Sequence, residues 1–132
     1  MVTTSILDIG MNRMKLIYLA TPYSKYEKGR NMAFYEASMK TAELMLAGHY
    51  VFSPIVHSHS IEEIGMGFAG AMDGDWWLNQ DFAVLERCDE LWVYQLPGWN
   101  ESYGVRREMQ YADDLGIPIK FVKYNNEQTG ID

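Results

Sequence analysis

Two acidic residues, Asp81 and Glu108, fall at positions where an amphipathic helix normally places apolar side chains. At 100° per residue, Glu108 lies within an apolar stripe that is formed by Val105, Met109, Ala112 and Leu115. Asp81 lies at the centre of a second stripe, which is formed by Trp77, Leu78, Val84, Leu85 and Cys88. An ionised acid on a core-facing stripe is costly unless it is paired or borders a wet cavity.

Either acid by itself could be structural, tied to a helix end or to a nearby tyrosine or arginine. Two such acids on successive helices that flank one strand favour a shared cleft instead. Paired carboxyl groups in a cleft suit acid/base or nucleophilic chemistry at an acetal-like carbon. The sequence therefore predicts an active site that contains Asp81 and Glu108.

Alternating strand and helix signals surround these two acids. Apolar runs such as KLIYLA, closed by turn residues, indicate strands that are buried on both faces. The predicted strands are 15–20, 50–54, 89–96 and 117–123. The predicted helices are 25–47, 75–88 and a segment from about Ser102 to Gly116, and 56–74 is predicted as a long irregular loop. This alternation predicts an α/β fold, a Rossmann-like or flavodoxin-like three-layer sandwich with a parallel sheet of about four to five strands and its ligand at their carboxyl ends.

Composition limits the partners and the compartment. The chain has 132 residues, which is the size of one domain, and its net charge is −7. We expect this domain at 14–132, because residues 1–13 precede the first strong strand and are interpreted as a flexible leader. The negative charge disfavours nucleic acid and anionic membrane surfaces as partners. No apolar run approaches the roughly 20 residues that span a bilayer. The single cysteine, Cys88, excludes an internal disulfide, so we expect a reducing, cytoplasmic compartment.

Three segments give the sequence a more specific resemblance. The segment IYLATPYS, with Tyr18, ends a strand in Tyr-x-Ala and a proline-containing turn. The segment QDFAVLERCDELWV carries Asp81 on a helix before a strand, and SYGVRREMQYA contains a Gly-x-x-x-Glu helix start with Gly104 and Glu108. In order and spacing, these segments resemble the nucleoside 2-deoxyribosyltransferase superfamily, and within it the nucleoside 5′-monophosphate N-glycosidases, over residues 14–123.

The resemblance implies hydrolysis of the N-glycosidic bond of a (deoxy)ribonucleoside 5′-monophosphate, which releases the free base and (deoxy)ribose 5-phosphate. Glu108 would be the nucleophile at the anomeric carbon, and Asp81 would protonate the leaving base or position the sugar. Tyr18 would hydrogen-bond Glu108, and Gly104 would let the backbone approach the ligand. The alternatives are a nucleoside 2-deoxyribosyltransferase, in which a second base replaces water, and a module that binds or senses nucleotides without turnover.

Substrate contacts are expected in the loops at the carboxyl ends of the strands. Ser102 and the amide groups of the helix start resemble the phosphate seat of the nucleotide-cleaving branch, whereas the transferase branch tends to place an acid there, and Glu101 is adjacent. Ser24 and Arg30 are further phosphate candidates, although Arg30 also fits an ordinary solvated helix position. The other candidate substrate-binding residues are Ala20, Pro22, Tyr23, Ser53 and His57.

No cofactor and no metal are expected, because His57 and His59 have no third ligand at a suitable spacing. The resembled superfamily is typically dimeric or larger, which implies a homodimer or a higher homo-oligomer. The first helix is rich in methionine, which fits either core packing or a dimer interface. The residues that share one of its faces are Met32, Tyr35, Met39, Ala42 and Leu46.

Overall fold

The computed structural model describes residues 13–65 and 73–125. Within these ranges, parallel strands alternate with helices along the chain. The strands are β1 (Leu16–Ala20), β2 (Tyr50–Phe52), β3 (Glu90–Gln95) and β4 (Ile119–Lys123). The helices are α1 (Arg30–Leu46), α2 (Pro54–Ile64), α3 (Gly74–Leu85) and α4 (Tyr103–Leu115), and a 3-10 turn lies at Trp99–Glu101.

The strands form one parallel sheet in the order β2-β1-β3-β4. Ile17 in β1 pairs with Val51 on one side and with Glu90 on the other. The chain moves from β1 to β2 in one direction and then returns to the opposite side of β1, so the strand order reverses between β1 and β3. Open parallel sheets bind ligands outside the carboxyl ends of the strands at such a reversal. The predicted α/β sandwich of the Rossmann-like or flavodoxin-like type is confirmed.

Alternate residues of β1 enter two separate cores. Tyr18 and Ala20 pack in the layer that contains α3 and α4, together with Leu78, Phe82, Leu85, Val105 and Ala112. Ile17 and Leu19 pack in the opposite layer with Ala33 of α1. Because successive side chains of a strand point to opposite faces, a central strand in a sheet covered on both sides is apolar throughout. This alternation places Tyr18 on the same face as the two helices that carry Asp81 and Glu108.

Helix α2 occupies residues 56–64 of the stretch 56–74 that the sequence predicts to be an irregular loop, so that prediction is wrong over 56–64, and residues 66–72 lie outside the described ranges. The backbone N–H of Val56 donates to the Ser53 hydroxyl over 3.2 Å, which caps the helix. Pro54 fits the first helical turn because a proline there needs no N–H partner. Strand β2 therefore ends at Phe52, and Pro54 is the first residue of a helix.

Helix α1 begins at Arg30, later than the predicted start at residue 25. Gly29 precedes it with a φ of 95°, which glycine adopts more readily than other residues. Residues 21–29, between β1 and α1, therefore form a loop at the carboxyl end of the sheet.

The apolar stripe of α1 does not face the core. Met32, Tyr35, Met39 and Leu46 are exposed, whereas Ala33, Ala37 and Thr41 are buried. The helix packs through its small residues because they allow its backbone to approach the sheet closely. The core interpretation of the methionine-rich face is therefore wrong, and the interpretation as a dimer interface stays a prediction.

The predicted leader at 1–13 lies outside the described residues except for Arg13. The Arg13 Nη1 atom donates to Asp89 Oδ2 over 2.9 Å, and the backbone N–H of Leu16 donates to the same oxygen over 2.7 Å. These bonds join the start of β1 to the residue before β3. Across the described ranges, no helix is both long and apolar enough to cross a membrane.

Candidate active site

A cleft of about 690 Å³ lies at the carboxyl end of the sheet. One wall is formed by the loop after β1 and by the face of α2 that carries Ile55, Ser58 and Glu62. The other wall is formed by the beginnings of α3 and α4 and by the turn at Pro97 and Gly98 after β3. The cleft thus lies at the predicted edge of the sheet, between the two strands where the order reverses.

Glu108 reaches this cleft from the second turn of α4. The helix begins where the Ser102 hydroxyl accepts a hydrogen bond from the Val105 N–H over 3.3 Å. The Glu108 side chain is 4% exposed and lines the cleft. The Tyr18 hydroxyl, which is fully buried, donates to Glu108 Oε2 over 2.5 Å. A phenol that donates to a carboxyl oxygen stabilises the ionised form and fixes its orientation.

Asp81 enters the same cleft from α3. This helix begins at Gly74, and the Asp73 carboxylate caps it by accepting from the Trp76 N–H over 2.9 Å. Two turns further on, Asp81 is 9% exposed and lines the cleft. The structure therefore brings together the two acids that the sequence places on apolar stripes.

The two carboxyl groups have strongly shifted acidities. Burial raises the pKa of Asp81 to about 7. Burial also raises the pKa of Glu108 to about 8, and the negative charge of Asp81 contributes in the same direction, whereas the hydrogen bond from Tyr18 opposes it. Burial and the charges of both acids raise the pKa of the Tyr18 hydroxyl well above its usual range, so that this phenol remains a donor. Groups that titrate near neutrality in a cleft are suited to acid/base chemistry.

Six of the predicted substrate-binding residues line the cleft: Pro22, Tyr23, Ser24, Arg30, Ser102 and Gly104. A Cβ atom added at Gly104 would meet no atom within 4 Å, so glycine there leaves room beside the helix start. Arg30 is already engaged, since it pairs with Glu62 and its guanidinium lies 4.9 Å from the centre of the Tyr23 ring. Its charge is consequently only partly available to a phosphate.

Three predicted residues are not brought to the cleft. Ala20 is fully buried in the core below it. Ser53 is buried as the cap of α2, where its hydroxyl is occupied by the helix start. His57 is exposed and lies against Phe52, with 5.5 Å between the ring centres. For Ser53 and His57, helix α2 explains the difference, because its formation turns His57 outward and uses the Ser53 side chain as a cap.

Helix α2 contributes to the cleft wall, which the predicted loop at 56–74 did not indicate. His59, not His57, reaches inward, and its Nδ1 lies 2.7 Å from the Tyr23 hydroxyl. His59 is buried and stacks on Phe34 with 4.2 Å between ring centres. The available signal was the helical spacing of the α2 residues in the cleft wall, Ile55, Ser58 and Glu62, once the segment is taken as a helix.

Several buried polar atoms around the cleft have no hydrogen-bond partner in the described part of the chain. They include the hydroxyls of Thr21 and Tyr26 and the indole N–H of Trp77, all in residues that line the cleft. The sequence pattern assigns Trp77 to the core, but the structure places it in this lining. Buried polar groups are normally hydrogen-bonded, so these atoms indicate space for a ligand or ordered water.

The charges in the cleft lining are unevenly distributed. Two cationic side chains, Lys25 and Arg30, contribute to it. Six acidic side chains contribute as well: Glu27, Glu62, Asp73, Asp81, Glu101 and Glu108. Over the described ranges, no group of three or more His, Cys, Asp and Glu side chains is arranged to hold a metal ion.

Comparison with known families extends over nearly the whole fold. Residues 15–124 match the family described as "Domain of unknown function (DUF1937)", and because this match spans all four strands, the protein belongs to that family. No curated protein matches the sequence.

Proposed function

We propose that this protein cleaves the N-glycosidic bond of a (deoxy)ribonucleoside 5′-monophosphate, with Glu108 as the nucleophile. The observation that carries the proposal is the buried Glu108 carboxyl group, held by the Tyr18 hydroxyl at 2.5 Å in a cleft that it shares with Asp81. A nucleophile of this type requires a fixed orientation, exclusion of water and a second acid nearby. The resemblance to the nucleoside 2-deoxyribosyltransferase superfamily supports the same assignment.

In the first step, a Glu108 oxygen forms an ester bond with the anomeric carbon while the bond from that carbon to the base nitrogen breaks. The bonding electron pair stays on the base, and Asp81 donates to the base the one proton that the pair of acids shares. In the second step, water attacks the anomeric carbon, Asp81 accepts the proton of that water, and the Glu108 carboxylate is released. The products are the free base and the sugar 5-phosphate.

The start of α4 is the proposed phosphate seat. Free N–H groups and the helix dipole favour an anion there, and Ser102 and Gly104 both line the cleft. The short distance along the helix from Gly104 to Glu108, about one turn, matches a sugar whose 5′ and 1′ ends contact the two positions.

A second candidate is a nucleoside 2-deoxyribosyltransferase, or another enzyme that acts on nucleosides without a phosphate. The acidic excess in the cleft lining favours it, because Glu101 directly precedes Ser102 and both Glu101 and Asp73 line the cleft, where their charges repel a phosphate dianion. In that case a second base, and not water, accepts the sugar from Glu108.

The exposed stripe of α1, centred on Tyr35 and Met39, supports a homodimer or larger homo-oligomer as part of the proposal. A cytoplasmic location is also proposed, and the buried, unpaired Cys88 thiol supports it.

The test is release of free base from a panel of nucleoside and deoxynucleoside 5′-monophosphates and the corresponding nucleosides. We expect base release by the wild-type protein and a loss of about a thousandfold or more in Glu108→Gln. Asp113→Asn, an exposed substitution near the far end of α4, is the matched control and should cleave like the wild type.

Three other outcomes separate the alternatives. Appearance of a new nucleoside after addition of a free acceptor base identifies a transferase. Binding of nucleotides without base release identifies a sensing module. Full activity in Glu108→Gln would contradict the nucleophile assignment.

A further inference from the structure

Among the described residues, the acidic pair in the cleft has no cationic partner. None of the ion pairs among the described residues includes Asp81 or Glu108. Arg30, one of the two cations in the lining, is paired with Glu62. Once Arg30 and Glu62 are set aside as a pair, the described lining contains one cation, the exposed Lys25, and five carboxyl groups. Buried acids are either paired with positive charge or kept neutral, and a positively charged ligand beside Asp81 and Glu108 favours their ionised forms.

The rest of the chain cannot supply this charge from a lysine or an arginine. The stretches 1–12, 66–72 and 126–132, which lie outside the described ranges, contain no lysine and no arginine. Every such cation of the protein is therefore in the described part of the chain, and Lys25 and Arg30 are those that line the cleft. A ligand that carries a positive charge complements this acidic lining.

Aromatic rings line the same cleft. Arg30 lies over the Tyr23 ring and Arg107 over the Tyr103 ring. Tyr26 and Trp77 are therefore the lining rings that add to the preference of the cleft for a ligand cation. The aromatic lining residues are Tyr23, Tyr26, Trp77 and Tyr103. The face of an aromatic ring attracts a positive charge, most strongly for tryptophan and in a desolvated site. Aromatic rings combined with carboxylates are the chemistry by which proteins recognise a delocalised, weakly hydrated organic cation.

Two buried hydroxyl groups without hydrogen-bond partners in the described part of the chain independently indicate a ligand site in the cleft. Thr21 and Tyr26 are 5% and 6% exposed, both line the cleft, and neither hydroxyl has a partner among the described residues. Each hydroxyl is able to donate or accept, so these groups match the polar edge of a heterocycle.

We propose that the substrate is a nucleoside or nucleotide whose base carries a fixed positive charge on the nitrogen bonded to the sugar or on its ring, such as an N-ribosylpyridinium or an N7-alkylated purine. The inference rests on the proposed glycosidic cleavage and names its substrate class. The cationic base lies against the acidic and aromatic lining, and its sugar carbon faces Glu108.

A cationic leaving group simplifies the first step. A Glu108 oxygen bonds to the anomeric carbon, the carbon–nitrogen bond breaks, and its electron pair neutralises the positive charge of the base. No proton is needed for departure of the base. Water then attacks the anomeric carbon, the ionised Asp81 carboxylate accepts the proton of that water and releases it to solvent, and the Glu108 carboxylate is restored as its ester bond breaks. The positive charge of the bound substrate also favours the ionised, nucleophilic form of Glu108.

Binding to the inactive Glu108→Gln variant tests the charge preference without interference from bond lability. The matched probes are nicotinamide riboside, which is cationic, and its 1,4-dihydro form, which is neutral and nearly the same size. We expect the cation to bind about tenfold more tightly by calorimetry. A second arm compares 7-methylguanosine with guanosine and distinguishes an alkylated purine from a pyridinium as the better ligand.

Removal of acidic charge from the lining provides the internal control. In Glu27→Gln/Glu101→Gln, made on the inactive background, we expect the preference for the cation to fall about threefold. Asp113→Asn/Asp114→Asn changes the net charge equally at the other end of α4 and should leave the preference as it was. Equal binding of the cationic and neutral probes would overturn the inference.

Turnover by the wild-type protein separates this inference from the proposed function. Cleavage of neutral nucleotides with no preference for cationic ones retains the glycosidase and overturns the substrate class. Preferential binding of the cation with no base release from any substrate overturns the glycosidase and retains the cation site.

Discussion

At the scale of single residues, the cleft combines a buried nucleophile candidate with a buried donor. Tyr18 is committed to Glu108 because both side chains are enclosed and each satisfies the other. Asp81 is close enough for its charge to raise the pKa of Glu108. Such a pair titrates as a unit, so activity is expected to depend on the state in which it shares one proton.

The stability of the protein should depend on the ionisation of Glu108. The pKa of Glu108 is about 8 in the fold, above the ordinary value of 4.5. Burial of this side chain therefore carries no ionisation cost at low pH, and the free energy of unfolding falls as the pH rises towards 8. At pH 5 we expect Glu108→Gln to have about the same free energy of unfolding as the wild type. At pH 8.5 we expect the variant to be more stable than the wild type by up to about 4 kcal/mol. Thermal denaturation at the two pH values, with Asp113→Asn as control, measures this difference. An equal effect of the substitution at both values would contradict it.

Removal of the Tyr18 hydroxyl should move the pH dependence of catalysis. Tyr18→Phe deletes the hydrogen bond that lowers the pKa of Glu108, so the carboxyl group ionises at higher pH. We expect the profile of kcat/KM to shift to higher pH and its maximum to fall by about tenfold to a hundredfold. Tyr111→Phe, which loses an exposed hydrogen bond to Glu86, is the control. A lower maximum with an unshifted profile would point to a purely structural role of Tyr18.

At the scale of elements, helix starts position the chemistry. The hydroxyl of Ser102 and the carboxylate of Asp73 cap α4 and α3, and each helix then carries its acid into the cleft. The cap of α2 at Ser53 has a similar effect, since it begins the helix that brings His59 to Tyr23. A shift of the sequence by one residue along a helix would rotate its acid or histidine by about 100° out of the cleft.

Substitution of Ser102 separates helix capping from phosphate binding. Ser102→Ala should destabilise the fold by about 1 kcal/mol because the Val105 N–H loses its acceptor. Ser102→Asp retains a cap and adds a negative charge at the proposed phosphate seat. If the phosphate lies there, the KM for a nucleotide relative to that for its nucleoside should rise about tenfold in Ser102→Asp. An unchanged ratio would place the phosphate elsewhere or show that none is bound.

At the scale of the whole molecule, the sheet order and the surface decide what can approach the cleft. The reversal between β1 and β3 opens a crevice between the loops that follow them. On the opposite layer, α1 buries its alanines and leaves a row of large apolar side chains in solvent. Such an exposed row is typical of a surface that contacts another protein.

Self-association should depend on the exposed stripe of α1. We expect the wild-type protein to sediment as a dimer or larger species and Met39→Asp to sediment as a monomer, because a charge on the stripe opposes its burial. Ile64→Asp is the matched control, since Ile64 is an exposed apolar residue on α2. Sedimentation velocity over a concentration series makes the comparison. A wild-type monomer at all concentrations would contradict the prediction.

The sequence by itself determined the α/β class, the parallel sheet and the two acids of the cleft. Each of these follows from a local pattern: buried apolar runs, helical periodicity, and an acid at an apolar position. The positions of Asp81 and Glu108 were predictable because an unfavourable residue on a regular stripe is visible along one helix.

Only the tertiary structure decided which side chains complete the cleft. The inward position of His59 and the pairing of Arg30 with Glu62 depend on contacts between segments that are distant in sequence. The burial of the alanine face of α1 also depends on how closely the helix approaches the sheet. In the part of the chain that the structure describes, no ion pair includes Asp81 or Glu108, and this is likewise a property of the assembled fold, because no local pattern states which charges meet across a cleft.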